Sequence, residues 1–114
     1  MSKRILRVNA LIKKIISQLI LREVEFPPNT LVTVTRADTS VDLEESKVFI
    51  SVIPEENFDK ALQILNKEIY FLQQKFNQKV RMRPLPRLKF FPEKKTSEAS
   101  KVEEILEELK KEEK

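Results

Sequence analysis

Residues 31–53, LVTVTRADTSVDLEESKVFISVI, decide the fold. LVTVT at 31–35 and KVFISVI at 47–53 are rich in β-branched residues and alternate, with Val48, Ile50 and Val52 on one face of the second segment. A period of two puts those side chains on one side of a strand and their neighbours on the other. The two segments therefore read as an antiparallel pair. Their connector, RADTSVDLEES, is long for a hairpin and acidic at Asp38, Asp42, Glu44 and Glu45. Clustered carboxylates can serve metal binding or acid–base chemistry. Here no EF-hand spacing is present and the glycine such a loop needs is missing, so a solvated loop is the reading.

Upstream, Ile5, Val8, Ile12, Ile15 and Leu19 recur at spacings of three and four, with Ser2 available as N-cap and Pro27-Pro28 as terminator. This predicts a long amphipathic helix over 3–24. At about 100° per residue, Arg4, Arg7, Lys14, Gln18 and Arg22 fall within an arc of roughly 80° beside the apolar stripe. One flank of the helix is a basic rail, and no acid precedes Glu23. Such a segment shares features with a transit peptide or a membrane-surface helix. Its apolar face, however, is needed to cover the sheet that follows. Lys13, Lys14 and Gln18 interrupt any signal-peptide core, and no run is long enough to span a bilayer.

Downstream, Pro54 stops the strand, and Phe58, Ala61, Leu62, Leu65, Ile69, Leu72 and Phe76 mark a second helix that opens with acids and closes with Lys75. Continuing the same helical phase would drive Lys79 into the apolar stripe, so an end near Asn77, as a left-handed cap, is expected. RMRPLPRLKFF, 81–91, then sets Leu88 and Phe90 against Arg87 and Lys89. That alternation describes a strand packed on one side and facing something anionic on the other. Residues 94–114 hold one weak apolar set, Val102, Ile105, Leu106 and Leu109, amid dense charge, and read as a charged tail, partly helical or disordered. The domain is expected to occupy residues 1–93.

Composition narrows the function. The chain of 114 residues contains no cysteine, histidine or glycine. Disulfides, thiolate or imidazole zinc sites, cysteine nucleophiles and imidazole-based triads are thereby removed, and so are Walker and dinucleotide-binding glycine loops. No catalytic residue, metal site or cofactor is expected. The net charge of +4 hides a segregation: residues 1–22 carry six cations and no acid, 23–68 four against ten, 69–95 eight against one, and 96–114 four against seven. Two basic blocks flanking an acidic one make a basic face if they meet in space. Nucleic acid is the partner this favours. The candidate RNA-binding residues are Arg4, Arg7, Lys14, Lys75, Lys79, Arg81, Arg83, Arg87 and Lys89. The alternative is a protein-interaction module that meets a basic partner through the acidic segments, and its binding would survive ribonuclease.

The order helix, strand, strand, helix, strand describes a two-layer α+β domain with a mixed three-stranded sheet, because the helical crossover allows the second and third strands to run parallel. The ordered set RVNALIKKIISQLILREVEFP, LVTVTRADTSVDLEESKVFISVI, LQQKFNQKVRMRPLPRLKFF and SKVEEILEEL resembles the ribosome-binding factor A family across nearly the whole chain. The resemblance implies a type II KH-like domain that lacks the KH glycine loop and works as a monomeric, cytoplasmic, non-enzymatic assembly factor. Its implied partner is the small (30S) ribosomal subunit, meaning 16S rRNA and nearby ribosomal proteins, late in maturation. The resemblance further implies a part in 16S rRNA 5′-end processing, in cold adaptation, and departure before translation, with no membrane involved. Family members carry an Ala-x-Gly kink between two helices, whereas the matching positions here are Glu68, Ile69 and Tyr70. Losing both small residues implies a smoother bend and leaves phosphate contact to cationic side chains.

Overall fold

A computed structural model describes residues 3–81 and 85–93. The elements are α1 (Lys3–Glu23), β1 (Leu31–Thr39), β2 (Glu45–Ile53), α2 (Phe58–Lys67), α3 (Ile69–Lys79) and β3 (Arg87–Pro92), with one 3₁₀ turn at Glu55–Asn57. The sheet order is β1-β2-β3, with β1 and β2 antiparallel and β2 and β3 parallel. All three helices pack on one face of it. The two-layer α+β architecture and the mixed three-stranded sheet are those expected.

Helix α1 buries Ile5, Val8, Ile12, Ile15 and Leu19, and also Ile16 and Ile20. The two additional isoleucines lie on the side of the stripe away from the basic rail, so the rail stays in solvent. The proposed Ser2 cap lies outside the described residues. The helix is about 31 Å long and β1 about 30 Å, so the two match in length. A buried polar link ties them together. Asn9 Oδ1 accepts from both the backbone N–H (2.9 Å) and the hydroxyl (2.5 Å) of Thr39, and the Ser46 hydroxyl lies 3.1 Å from that of Thr39.

The strands run further into the connector than the sequence pattern indicated. Pairing continues through Arg36↔Phe49, Ala37↔Val48, Asp38↔Lys47 and Thr39↔Ser46, with a bulge between Val34 and Arg36. A bulge inserts one residue and reverses the in–out phase. Val34 faces the core before it, and Ala37 and Thr39 after it. An uninterrupted alternation therefore could not detect residues 36–39 as strand. The true turn is Ser40–Glu44. Asp42 Oδ1 accepts from the Ser40 hydroxyl (2.6 Å) and the Glu44 N–H (3.0 Å), and these bonds hold its carboxyl below the usual aspartate range. Leu43 sits at φ 63° and is buried, so its apolar contacts offset a left-handed backbone that a Cβ disfavours. Asn29, also left-handed at φ 61°, carries no such apolar load.

The second helix is two helices. At Glu68 the backbone leaves the helical region (φ −95°, ψ 4°), and its N–H is shared between the carbonyls of Ile64 and Leu65, both at 3.1 Å. A break at one residue replaces the smooth bend expected from the loss of the small residues. It also removes the reason for ending the helix early. Ala61 and Lys79 are eighteen residues apart, about five full turns, so a continuous helix would align them. With the phase reset at Glu68, α3 runs on to Lys79, which is exposed, and Asn77 is not a left-handed cap. The core joins α1, both strand faces turned inward, Ala61, Leu65, Leu72, Phe76, Leu88 and Phe90. The proposed tail, 94–114, lies outside the described residues.

Candidate nucleic-acid interface

The basic rail on α1 exists as a surface. Arg4, Arg7 and Lys14 are exposed because the opposite arc of the helix is committed to β1 and α3. Helix α3 packs beside α1 and supplies Lys79 at its last residue, with exposed Arg81 following buried Val80. Lys75 is half-buried, its ammonium 5.5 Å from the centroid of the Phe71 ring. Arg83 lies outside the described residues.

Arg87 and Lys89 belong to a different surface. Strand β3 buries Leu88 and Phe90 toward the helices, so Arg87 and Lys89 project from the other side of the sheet, which no described element covers. The sequence-derived candidates thus fall into two groups, one on the helical layer and one on the open sheet face, joined by the connector that follows α3. Lys89 pairs with Glu45 across the strands at 3.7 Å, an exposed ion pair of little energetic weight.

The connector is anchored by a residue that charge and periodicity did not single out. Gln73 on α3 donates from Nε2 to the carbonyl of Pro86 (3.0 Å) and to Asn77 Oδ1 (3.1 Å), while its Oε1 accepts the N–H of Leu88 (2.9 Å). Arg87 N–H meanwhile donates to Glu44 O at 2.8 Å. The start of β3, and with it the placement of Arg87, is therefore held from both sides. A lone glutamine on the polar flank of a helix carries no sequence signal for this role.

The open face also holds groups outside the candidate set. Arg36 lies with its guanidinium 3.8 Å from the centroid of Phe49 and its Nε 2.9 Å from Glu93 Oε1, and the Thr35 hydroxyl donates to the same oxygen at 2.8 Å. Phe49 and Phe91 sit side by side, ring centroids 5.9 Å apart and tilted by 40°, and Lys47 Nζ is 5.5 Å from the Phe91 ring. A phenylalanine in the outward phase of each strand, Lys47-Phe49-Ser51 and Arg87-Lys89-Phe91, was the available signal. Among the described residues no group of three or more acidic side chains is arranged to hold a metal ion, and no helix is long and apolar enough to cross a membrane.

Comparison with known proteins decides the family. The ribosome-binding factor A family profile matches residues 4–106, and the protein of that name from Chlamydia pneumoniae is 34% identical over 116 residues, covering 99% of this chain and 97% of its own. This chain belongs to the ribosome-binding factor A family. The crystal structure of ribosome-binding factor A from Thermus thermophilus aligns with a TM-score of 0.66 at 29% identity, over 77% of this chain and 93% of that one. A homology model of the Thermus thermophilus factor, fitted into a cryo-electron-microscopy map of its complex with the 30S subunit, aligns with a TM-score of 0.60 at 30% identity, over 73% of this chain and 88% of that one. The fold is KH-like, as in the family's other members. In this member the inter-helix break carries Glu68, Ile69 and Tyr70, and Tyr70 is exposed.

Proposed function

We propose that this protein is a cytoplasmic, non-enzymatic ribosome assembly factor that binds the small ribosomal subunit through 16S rRNA during late maturation. It acts as a monomer, supports processing at the rRNA 5′ end and growth in the cold, and leaves before translation. The observation that carries this reading is membership of the ribosome-binding factor A family over residues 4–106, with a 30% identical relative placed in a complex with the 30S subunit. The physical support is the exposed cation set on α1 and at the end of α3, which suits a phosphate backbone. Without a glycine loop, side chains rather than close backbone approach supply the phosphate contacts. Residues 1–93 are the binding domain in this reading, and 94–114 a charged appendage.

Sedimentation tests it. The protein should travel with free and immature small subunits and be depleted from whole ribosomes, and ribonuclease should release it. Equal occupancy of both fractions, or ribonuclease-resistant capture by a basic protein, overturns the reading.

A further inference from the structure

We propose that the sheet face turned away from the helices is a separate contact surface for single-stranded RNA, on which Phe91 and the Arg36 guanidinium carried by Phe49 stack unpaired bases while Lys47 and Arg87 meet the phosphates. In taking rRNA as the source of the strand, this rests on the function proposed above.

The strand register lays the surface out in rows. Arg36, Phe49 and Phe91 are neighbours across β1, β2 and β3; Asp38, Lys47 and Lys89 form the next row, and Glu45 and Arg87 the one after. A sheet covered by helices on one side normally presents polar side chains on the other. Two phenylalanines side by side on that polar face, Phe49 on the central strand and Phe91 on the edge strand, depart from the pattern. Their 40° tilt keeps the rings from lying face to face, and both are only half-buried. The Arg36 guanidinium extends the platform. It is laid on the Phe49 ring and fixed by Glu93, so it offers a flat, delocalised plane, the other side-chain surface on which bases stack.

Charge selects the occupant. Of the three acids on this face, Glu93 is engaged by Arg36 and Thr35, and Glu45 lies against Lys89. Lys47 and Arg87 make no ion pair among the described residues, and Asp38 is the one acid left over. A protein partner would favour an apolar centre with charge, lysine above all, kept to the rim. Here cations stand over and between the rings. Aromatic faces interleaved with cations describe a single-strand platform, tolerant of sequence because every base has a π-face. Duplex RNA, with its bases already stacked, has nothing to place there. A cross-strand aromatic pair also stabilises a sheet with no ligand present, so the test must read RNA.

The test uses the full chain, a fluorescein-labelled decaadenylate and an RNA duplex of ten base pairs. The single strand should bind more tightly than the duplex. Phe49→Leu and Phe91→Leu should each weaken decaadenylate binding by roughly 5- to 150-fold per base unstacked. Their salt dependence should not change, and Phe49→Tyr and Phe91→Tyr should restore affinity. Lys47→Gln with Arg87→Gln should instead flatten the slope of log K against log salt by roughly 0.7 for each phosphate no longer neutralised. Ring protons of Phe91 should move upfield in NMR spectra on addition of the strand. A benzophenone at position 91 should cross-link to rRNA on small subunits. Leucine variants that fold and bind like the parent overturn the proposal, as does equal affinity for the duplex. Cross-links only to a ribosomal protein or to residues 94–114 do the same. Failure of the leucine variants to lose affinity while the protein still sediments with small subunits removes this surface and leaves the assembly role. Loss of subunit binding with the decaadenylate effects intact does the reverse.

Discussion

Replacing Gln73 by methionine should unlatch β3 while leaving α3 helical. Methionine matches glutamine in length and in helix propensity, so the helix itself should not feel the change. What disappears is the partner of the Leu88 N–H and of the Pro86 carbonyl, held at 2.9 and 3.0 Å at residues that are themselves buried. β3 is an edge strand, so no further strand is available to take up these groups. An unsatisfied buried group costs about 1–3 kcal/mol, so the pair should cost about 2–6 kcal/mol, with the lower half favoured because water reaches this half-buried site. For a domain of this size, a loss of about 3 kcal/mol lowers the melting temperature by roughly 12–24 °C. Gln74→Met, one residue along on the exposed side of the same helix, should change stability by less than about 0.5 kcal/mol. Urea unfolding followed by circular dichroism gives both values, and an unchanged m-value shows that the unfolding reaction is the same one. If Gln73→Met falls within about 0.5 kcal/mol of Gln74→Met, the claim that this side chain holds the start of β3 is wrong.

Charge position should matter more than charge total. Neutralising Arg7 and Lys14 on the α1 rail should weaken subunit binding roughly five- to eightfold per phosphate contact near 0.1 M salt and flatten the salt slope by roughly 1.4–1.8. Neutralising Lys60 and Lys67 on α2, the same change in net charge, should do neither, and equal effects in a filter-binding titration would contradict a localised basic surface. Leu43→Gly relieves a left-handed backbone costing about 1–2 kcal/mol but gives up burial of about 1.5–3 kcal/mol and leaves a cavity, so a net loss is expected in thermal melts. Greater stability in the variant would mean that strain, not burial, dominates the turn. The Asp42 carboxyl is held below the usual aspartate range by Ser40 and then by the Glu44 N–H, so its contribution is present above the unfolded-state value and lost as pH falls through the folded one. Asp42→Asn should therefore be less stable than the parent at neutral pH and converge with it in acid, as read from urea midpoints across pH. A gap that does not close would assign the effect to something other than this titration.

What the sequence determined by itself were the features carried by local periodicity. Five of the seven buried positions of α1 follow from a stripe three to four residues apart, Ile16 and Ile20 being added by packing, and the inward phases of β2 and β3 follow from strict alternation. The segregation of cations is likewise a fact of the linear chain, and the family could be read from motifs in fixed order. Only the tertiary structure decided where a phase is reset. The bulge at Thr35 and the break at Glu68 each reverse or rotate a pattern, so strand residues 36–39 resembled a loop and Lys79 resembled a core intruder. It also separated one apparent basic set into two surfaces. The side of the sheet that the helices cover is a property of packing rather than of any one strand, and it turned Arg87 and Lys89 away from the helical layer that presents Arg4, Arg7 and Lys14. Contacts such as Gln73 to Leu88, fifteen residues apart, or Arg36 to Glu93, fifty-seven apart, depend on the crossover between parallel strands. No local pattern encodes them, because each residue alone looks like ordinary solvated polarity.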